Sequence, residues 1–241
     1  MSNVNIPARI FPDAKSLMAL EKETLKCIVH SSILQKIIPN TVKEASVLLS
    51  RFPTDQYNWH ISLQAPYTRS KQRNVYCIYI GVNIQTTRTG EYEMVSYSVV
   101  ICDELTPNKK IVRKFHFDYE PRLNPKEPKP ILHIQYCGKM ASYLSQYDYK
   151  NDHIAAFYPE LEKPRIPAQP VCLGILLDWI FHEFWEKSDF QNMTKDNAWR
   201  KHIQQIEVEL LHPYFKTCCE ATKPSRSDTT RLYLAQLMYN I

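Results

Sequence analysis

Glycine is scarce in this chain: four residues among 241, at positions 81, 90, 138 and 174. That scarcity excludes a phosphate-cradling loop and a dinucleotide fingerprint, both of which need several glycines at fixed spacing to let backbone amides approach a phosphate. Nucleotide-cofactor chemistry of those types is therefore set aside. No Gly-x-Ser-x-Gly elbow occurs, and no cysteine stands in a catalytic context, which argues against acyl transfer. No apolar run approaches the roughly 18 residues of a membrane-spanning helix. The first residues, "MSNVNIPARIFPDAKS", lack the basic-then-apolar order of a signal peptide. The seven cysteines have no paired spacing, and Cys218 and Cys219 are adjacent. They are expected to be reduced, mostly buried thiols of a cytoplasmic protein with no membrane partner.

What is present divides by period. Residues 13–38 space Leu17, Leu20, Leu25, Ile28, Val29, Ile33 and Ile37 as one long amphipathic helix behind an Asp13 cap, ending at Pro39. Thr41 and Glu44 then have capping-box spacing for a short second helix. From residue 57 the period becomes two. "YNWHISL", "NVYCIYIGVNIQ", "EYEMVSYSVVICD", "KKIVRKFHFDYE" and "ILHIQYC" each alternate apolar with polar residues. Short connections, such as "TTRTG" and Pro107-Asn108, join the middle strands. The expected fold is α+β: an antiparallel five-stranded meander sheet with helices packed on one face.

A single domain over 1–241 is expected, with N-terminal helices in 1–52, the sheet in 55–137, a Tyr/Pro-rich crossover in 138–170 and a helical layer in 171–241. "EKPRIPAQP" should be stiff and extended. After it, Leu173, Leu176, Leu177, Ile180, Phe181 and Phe184 form one helical stripe. A further helix runs from about 194 to 212, stopped by Pro213, and a last one covers about 227–239.

Alternation also defines a candidate site. If Phe115, Phe117, Leu132 and Ile134 face the helices, then His116, Asp118, His133 and Gln135 share the opposite face, and His60 has the same parity. His116, Asp118 and His133 would then serve as metal ligands or acid-base groups, with Arg165 or Lys114 on a phosphate. The bland alternative, a solvated sheet face, uses the same residues.

A net charge of +5 is too small to signal nucleic-acid binding alone. Its distribution marks Arg69, Lys71 and Arg73 in one connection and Lys109, Lys110 and Lys114 near a later strand. With Arg165 and the crossover tyrosines Tyr143, Tyr147 and Tyr149, these form the candidate binding set.

The order "HFDY", a proline-bearing gap, "PILHIQY", "PRIPAQP" and an apolar helix ending "FHEFW" resembles a group of prokaryotic proteins encoded with mobile-element, toxin-antitoxin and antiviral defence genes. The resemblance spans roughly residues 111–186, and His133 and Arg165 fit it best. It implies a setting more than a chemistry. Two expectations follow. In the first, the chain is a non-enzymatic subunit of a prokaryotic antiviral-defence or related complex, without cofactor, binding a larger protein or nucleoprotein partner, nucleic acid included. In the second, it is a metal-assisted hydrolase or nuclease-type toxin using a divalent metal.

Overall fold

A computed structural model describes residues 11–52, 57–69, 72–87, 89–103, 110–120, 132–136, 165–183 and 188–221. Helix α1 (Ala14–His30) begins where the Asp13 carboxylate accepts from the Ser16 N–H at 2.8 Å, satisfying one of the free first-turn amides. The expected single long helix is broken at Ser31. Its extended backbone ends α1, and its hydroxyl accepts from the Leu34 N–H to start α2 (Ser32–Ile37). Helix α3 (Pro39–Ser50) begins at Pro39, which initiates a helix as readily as it ends one because the first helical N–H needs no partner. Thr41 therefore lies buried inside the first turn instead of capping it, which corrects the capping-box expectation.

The sheet strands are β1 (Tyr57–Arg69), β2 (Gln72–Thr86), β3 (Tyr92–Asp103), β4 (Lys110–Tyr119), β5 (Leu132–Tyr136) and β6 (Arg165–Pro167). They lie in sequence order, every neighbouring pair antiparallel. The expected five strands are thus too few. The arm "PRIP" is extended, as proline demands, but it also pairs: Arg165, Ile166 and Pro167 oppose Gln135, Ile134 and His133. The Ala168 N–H donates to the Leu132 carbonyl at 3.0 Å, prolonging that pairing. Between β2 and β3, Gly90 takes φ +82, a left-handed value that a side chain would resist.

Register keeps one apolar face. Trp59, Val82, Tyr97, Phe117, Ile134 and Ile166 form one cross-strand row, and Ile61, Ile80, Val99, Phe115 and Tyr136 form the next. Ile80, Val82 and Val99 are fully buried beneath the helical layer beside Tyr97, each of the three aliphatic side chains contributing about 1.5–3 kcal/mol through burial. The helices reach this inner face from both ends of the chain. α1 supplies Leu17, Leu20, Leu25 and Ile28, and α4 (Leu173–Glu183) supplies Leu173, Leu176, Leu177, Ile180 and Phe181, as its stripe predicts. Trp179 sets its ring edge-on to Phe115 at 5.5 Å, and Phe11 stacks on Tyr119 at 4.4 Å.

Helices α5 (Ser188–Lys195) and α6 (Asn197–Ile206) follow, separated by Asp196, whose carboxylate accepts from the Trp199 N–H. A π-helical turn, Glu207–Leu211, leads directly into α7 (His212–Ala221). Pro213 therefore does not stop the helix; the wider turn before it, closed by the His212 N–H donating to the Glu207 carbonyl, makes room for a residue that has no N–H to give. The expected helix at 227–239 lies outside the described residues. No described helix is long and apolar enough to cross a membrane. Of the cysteines, Cys172 is buried as expected, whereas Cys219 is exposed.

Candidate functional site

Because β4 and β5 pair with Asp118 opposite His133 and His116 opposite Gln135, all four side chains belong to the outer face of the sheet. That face is not uniformly wet. His133 is 1% exposed, and the Asp118 side chain 12%. His133 Nε2 lies 3.6 Å from Asp118 Oδ2, an ion pair when the imidazole is protonated. Glu120, two residues beyond Asp118 at the end of β4, completes a group. One donor atom each from Asp118, Glu120 and His133 lies within 4.8 Å of the others. Two carboxylate oxygens and one imidazole nitrogen form a donor set suited to a divalent cation such as Mn²⁺ or Zn²⁺, and three protein ligands leave positions for water or substrate.

His116 was expected among the ligands and is not one of this trio. It stands two residues before Asp118 on the same face, half-buried, and its Nε2 has no hydrogen-bond partner among the described residues. Burial lowers its pKa below the ordinary 6.5; the Asp118 carboxylate opposes that shift and Lys114 adds to it. Glu120 was legible as a member of the polar parity set, but a residue just past a strand's end carries little weight in an alternation pattern.

Of the other candidates, Lys114 is exposed on the outer face of β4. Register puts Arg165 beside Gln135, in the row of His116 and one row from Asp118. Arg69 pairs with Gln72 and Arg73 with Thr68 at the hairpin end of β1 and β2, while Lys110 pairs with Asp103. These three lie at the end of the sheet remote from Asp118; Lys110 is eight residues back along β4, about 27 Å. Arg69, Arg73 and Lys110 are therefore not gathered around the acidic cluster. Lys71, Lys109, Tyr143, Tyr147 and Tyr149 lie outside the described residues.

A second titratable group was missed in the sequence. Glu21, on the inner stripe of α1, has no exposed surface. Its Oε1 accepts from the Tyr97 hydroxyl at 2.6 Å and from the Leu173 N–H at 3.0 Å, tying α1 to β3 and to the start of α4. Its Oε2 has no hydrogen-bond partner among the described residues. Burial raises its pKa from 4.5 to about 7, against the lowering effect of the two hydrogen bonds. The Tyr97 hydroxyl and the Cys172 thiol are both pushed upward, chiefly by burial and then by the Glu21 charge. The signal for Glu21 was its spacing, four residues from both Leu17 and Leu25, which sets a carboxyl group in the apolar stripe. No protein family, curated protein or solved structure matches the chain.

Proposed function

We propose that this chain is a divalent-cation-dependent hydrolase of phosphoesters, with Asp118, Glu120 and His133 as the cation's ligands. One observation carries the reading: three donors of suitable chemistry, two from paired strands and one just past the end of β4, converge within 4.8 Å at a half-buried position. A bound divalent cation supplies a Lewis acid for a phosphoryl oxygen and a water of lowered pKa. The chain's own part is to fix Asp118 and His133 on paired backbone, where register holds them better than a loop would, with Glu120 following directly after β4. His116 stands one row away to meet the substrate, and Lys114 offers positive charge on the same face. The resemblance over residues 111–186 supports a prokaryotic defence-type setting.

A second reading, a non-enzymatic subunit binding a larger protein, is favoured by Ile166. This apolar side chain is 48% exposed on the outermost described strand, where a partner would extend the inner face.

Calorimetric titration with Mn²⁺ alone tests the first reading. We expect uptake of about one ion, weakened at least tenfold by Asp118→Asn and by Glu120→Gln, with hydrolysis of a chromogenic phosphodiester falling in parallel. Glu120→Gln, half-buried just past the end of β4, is the variant least able to disturb folding. Absence of Mn²⁺ uptake, or unchanged hydrolysis in both variants, rejects the hydrolase. Full cellular activity in both variants transfers the case to the subunit reading.

A further inference from the structure

Helix α6, the π-helical turn and α7 form one continuous rod over residues 197–221. Trp199, His202, Ile206 and Leu210 turn one side of it into the core. On the opposite side Val208 is 65% exposed and Phe215 46% exposed. A lone exposed apolar side chain is ordinary on a protein surface. These two are not scattered: seven residues, about two turns or 10 Å, separate them along a single stripe. Half-buried Leu211 lies between them. Val208 also belongs to the π turn, a geometry less favourable than the α-helix and frequent at functional surfaces.

Charge flanks this stripe with opposite signs at its two ends. Glu207 directly precedes Val208, and Lys216 directly follows Phe215. Both are exposed, and neither joins an ion pair among the described residues. Such an order is self-complementary when reversed. With two rods antiparallel and a two-fold axis between residues 211 and 212, Val208 of one copy meets Phe215 of the other, Leu211 meets His212, and Glu207 meets Lys216. Each pair occurs twice, as an isologous contact requires.

We infer that the stripe is a contact surface for a second copy of this chain, docked in that antiparallel register. Association withdraws Val208 and Phe215 of both copies from water. The flanking charges choose the direction, because a parallel pair would set Glu207 against Glu207 and Lys216 against Lys216. One helical rod offers a narrow interface, so the dimer should be reversible, with Kd of about micromolar order. The contact is independent of the cation cluster, which lies on the outer face of the sheet, whereas Leu211 and Tyr214 of the rod pack against the core under the inner face.

Sedimentation velocity of the full chain over about 1–100 μM tests this, with a monomer–dimer equilibrium expected in that range. Phe215→Asp, at a surface position, should leave the melting temperature almost unchanged and weaken the dimer about tenfold or more. Should that variant fail to fold, Val208→Asp, at the more exposed site, takes its place. Lys216→Glu should also weaken the dimer, since it confronts Glu207 of the other copy with a second carboxylate. Adding Glu207→Lys to it should restore association, because both pairs are remade with their signs exchanged. A wild-type chain that stays monomeric to about 100 μM overturns the proposal and leaves the stripe to residues 222–241 or to another protein. A dimer undiminished in the folded Phe215→Asp or Val208→Asp protein overturns it as well, and so does a charge exchange that restores nothing.

Discussion

Glu21 holds a carboxyl group where no water reaches it, and the charged form therefore carries a penalty that two hydrogen bonds only partly offset. Its folded pKa, about 7, exceeds the unfolded value near 4.5. The folded state thus binds the proton more tightly. The stabilisation this brings is complete below 4.5 and is lost as pH rises through 7, roughly 3 kcal/mol in all. Glu21→Gln cannot ionise and still offers an oxygen to Tyr97 and Leu173. Urea denaturation at pH 5 and pH 8 should show the wild type losing stability over that interval and the variant losing much less; parallel losses would refute the assignment. His202, whose pKa burial lowers, weakens the fold in acid instead, as pH falls from 6.5, but it is common to both proteins and cancels from the comparison.

Helix packing turns on Gly174, the second residue of α4. A Cβ there would stand 2.3 Å from Ile206 Cδ1 and 3.1 Å from the Thr24 hydroxyl oxygen, which itself hydrogen-bonds His202 Nε2 at 2.8 Å. Three helices, α1, α4 and α6, meet at that point. Gly174→Ala should therefore destabilise the protein by about 1–3 kcal/mol despite alanine's better helix propensity, as thermal denaturation would reveal. Element assignments from sequence succeeded where a long period governed many residues, as in the five longer strands and the stripe of α4. They failed at single residues with two possible roles. Ser31 reads as helix surface or as cap, Pro39 as a stop or a start, and Pro213 as a terminator or as the residue after a widened turn. Three-residue β6 carries no detectable alternation; only pairing with β5 makes it a strand. The outer-face cluster was legible through parity, but the burial of His133 was not, since parity assigns a face and says nothing of what covers it.

Across the whole molecule, local and remote pairings contrast. β1 to β4 are joined by short connections, whereas Glu21 bonds to Leu173, 152 positions onward, and Thr24 to His202, 178 positions onward. Loop closure makes such remote contacts slow to form. Pulse-labelled hydrogen exchange during refolding should find amides of β2 and β3 protected before those of α1; simultaneous protection would contradict this order.

The bridge from α1 to α6 also bears on synthesis. A ribosome delivers the N-terminal helix long before all of its receiving surface exists: strands β1 to β3 follow by residue 103, but the α6 side, reached through Thr24 and His202, comes some 180 residues later. Chaperone dependence and inclusion-body formation on rapid overexpression are the practical outcome, and slower translation at low temperature is the condition under which this chain should be recovered intact.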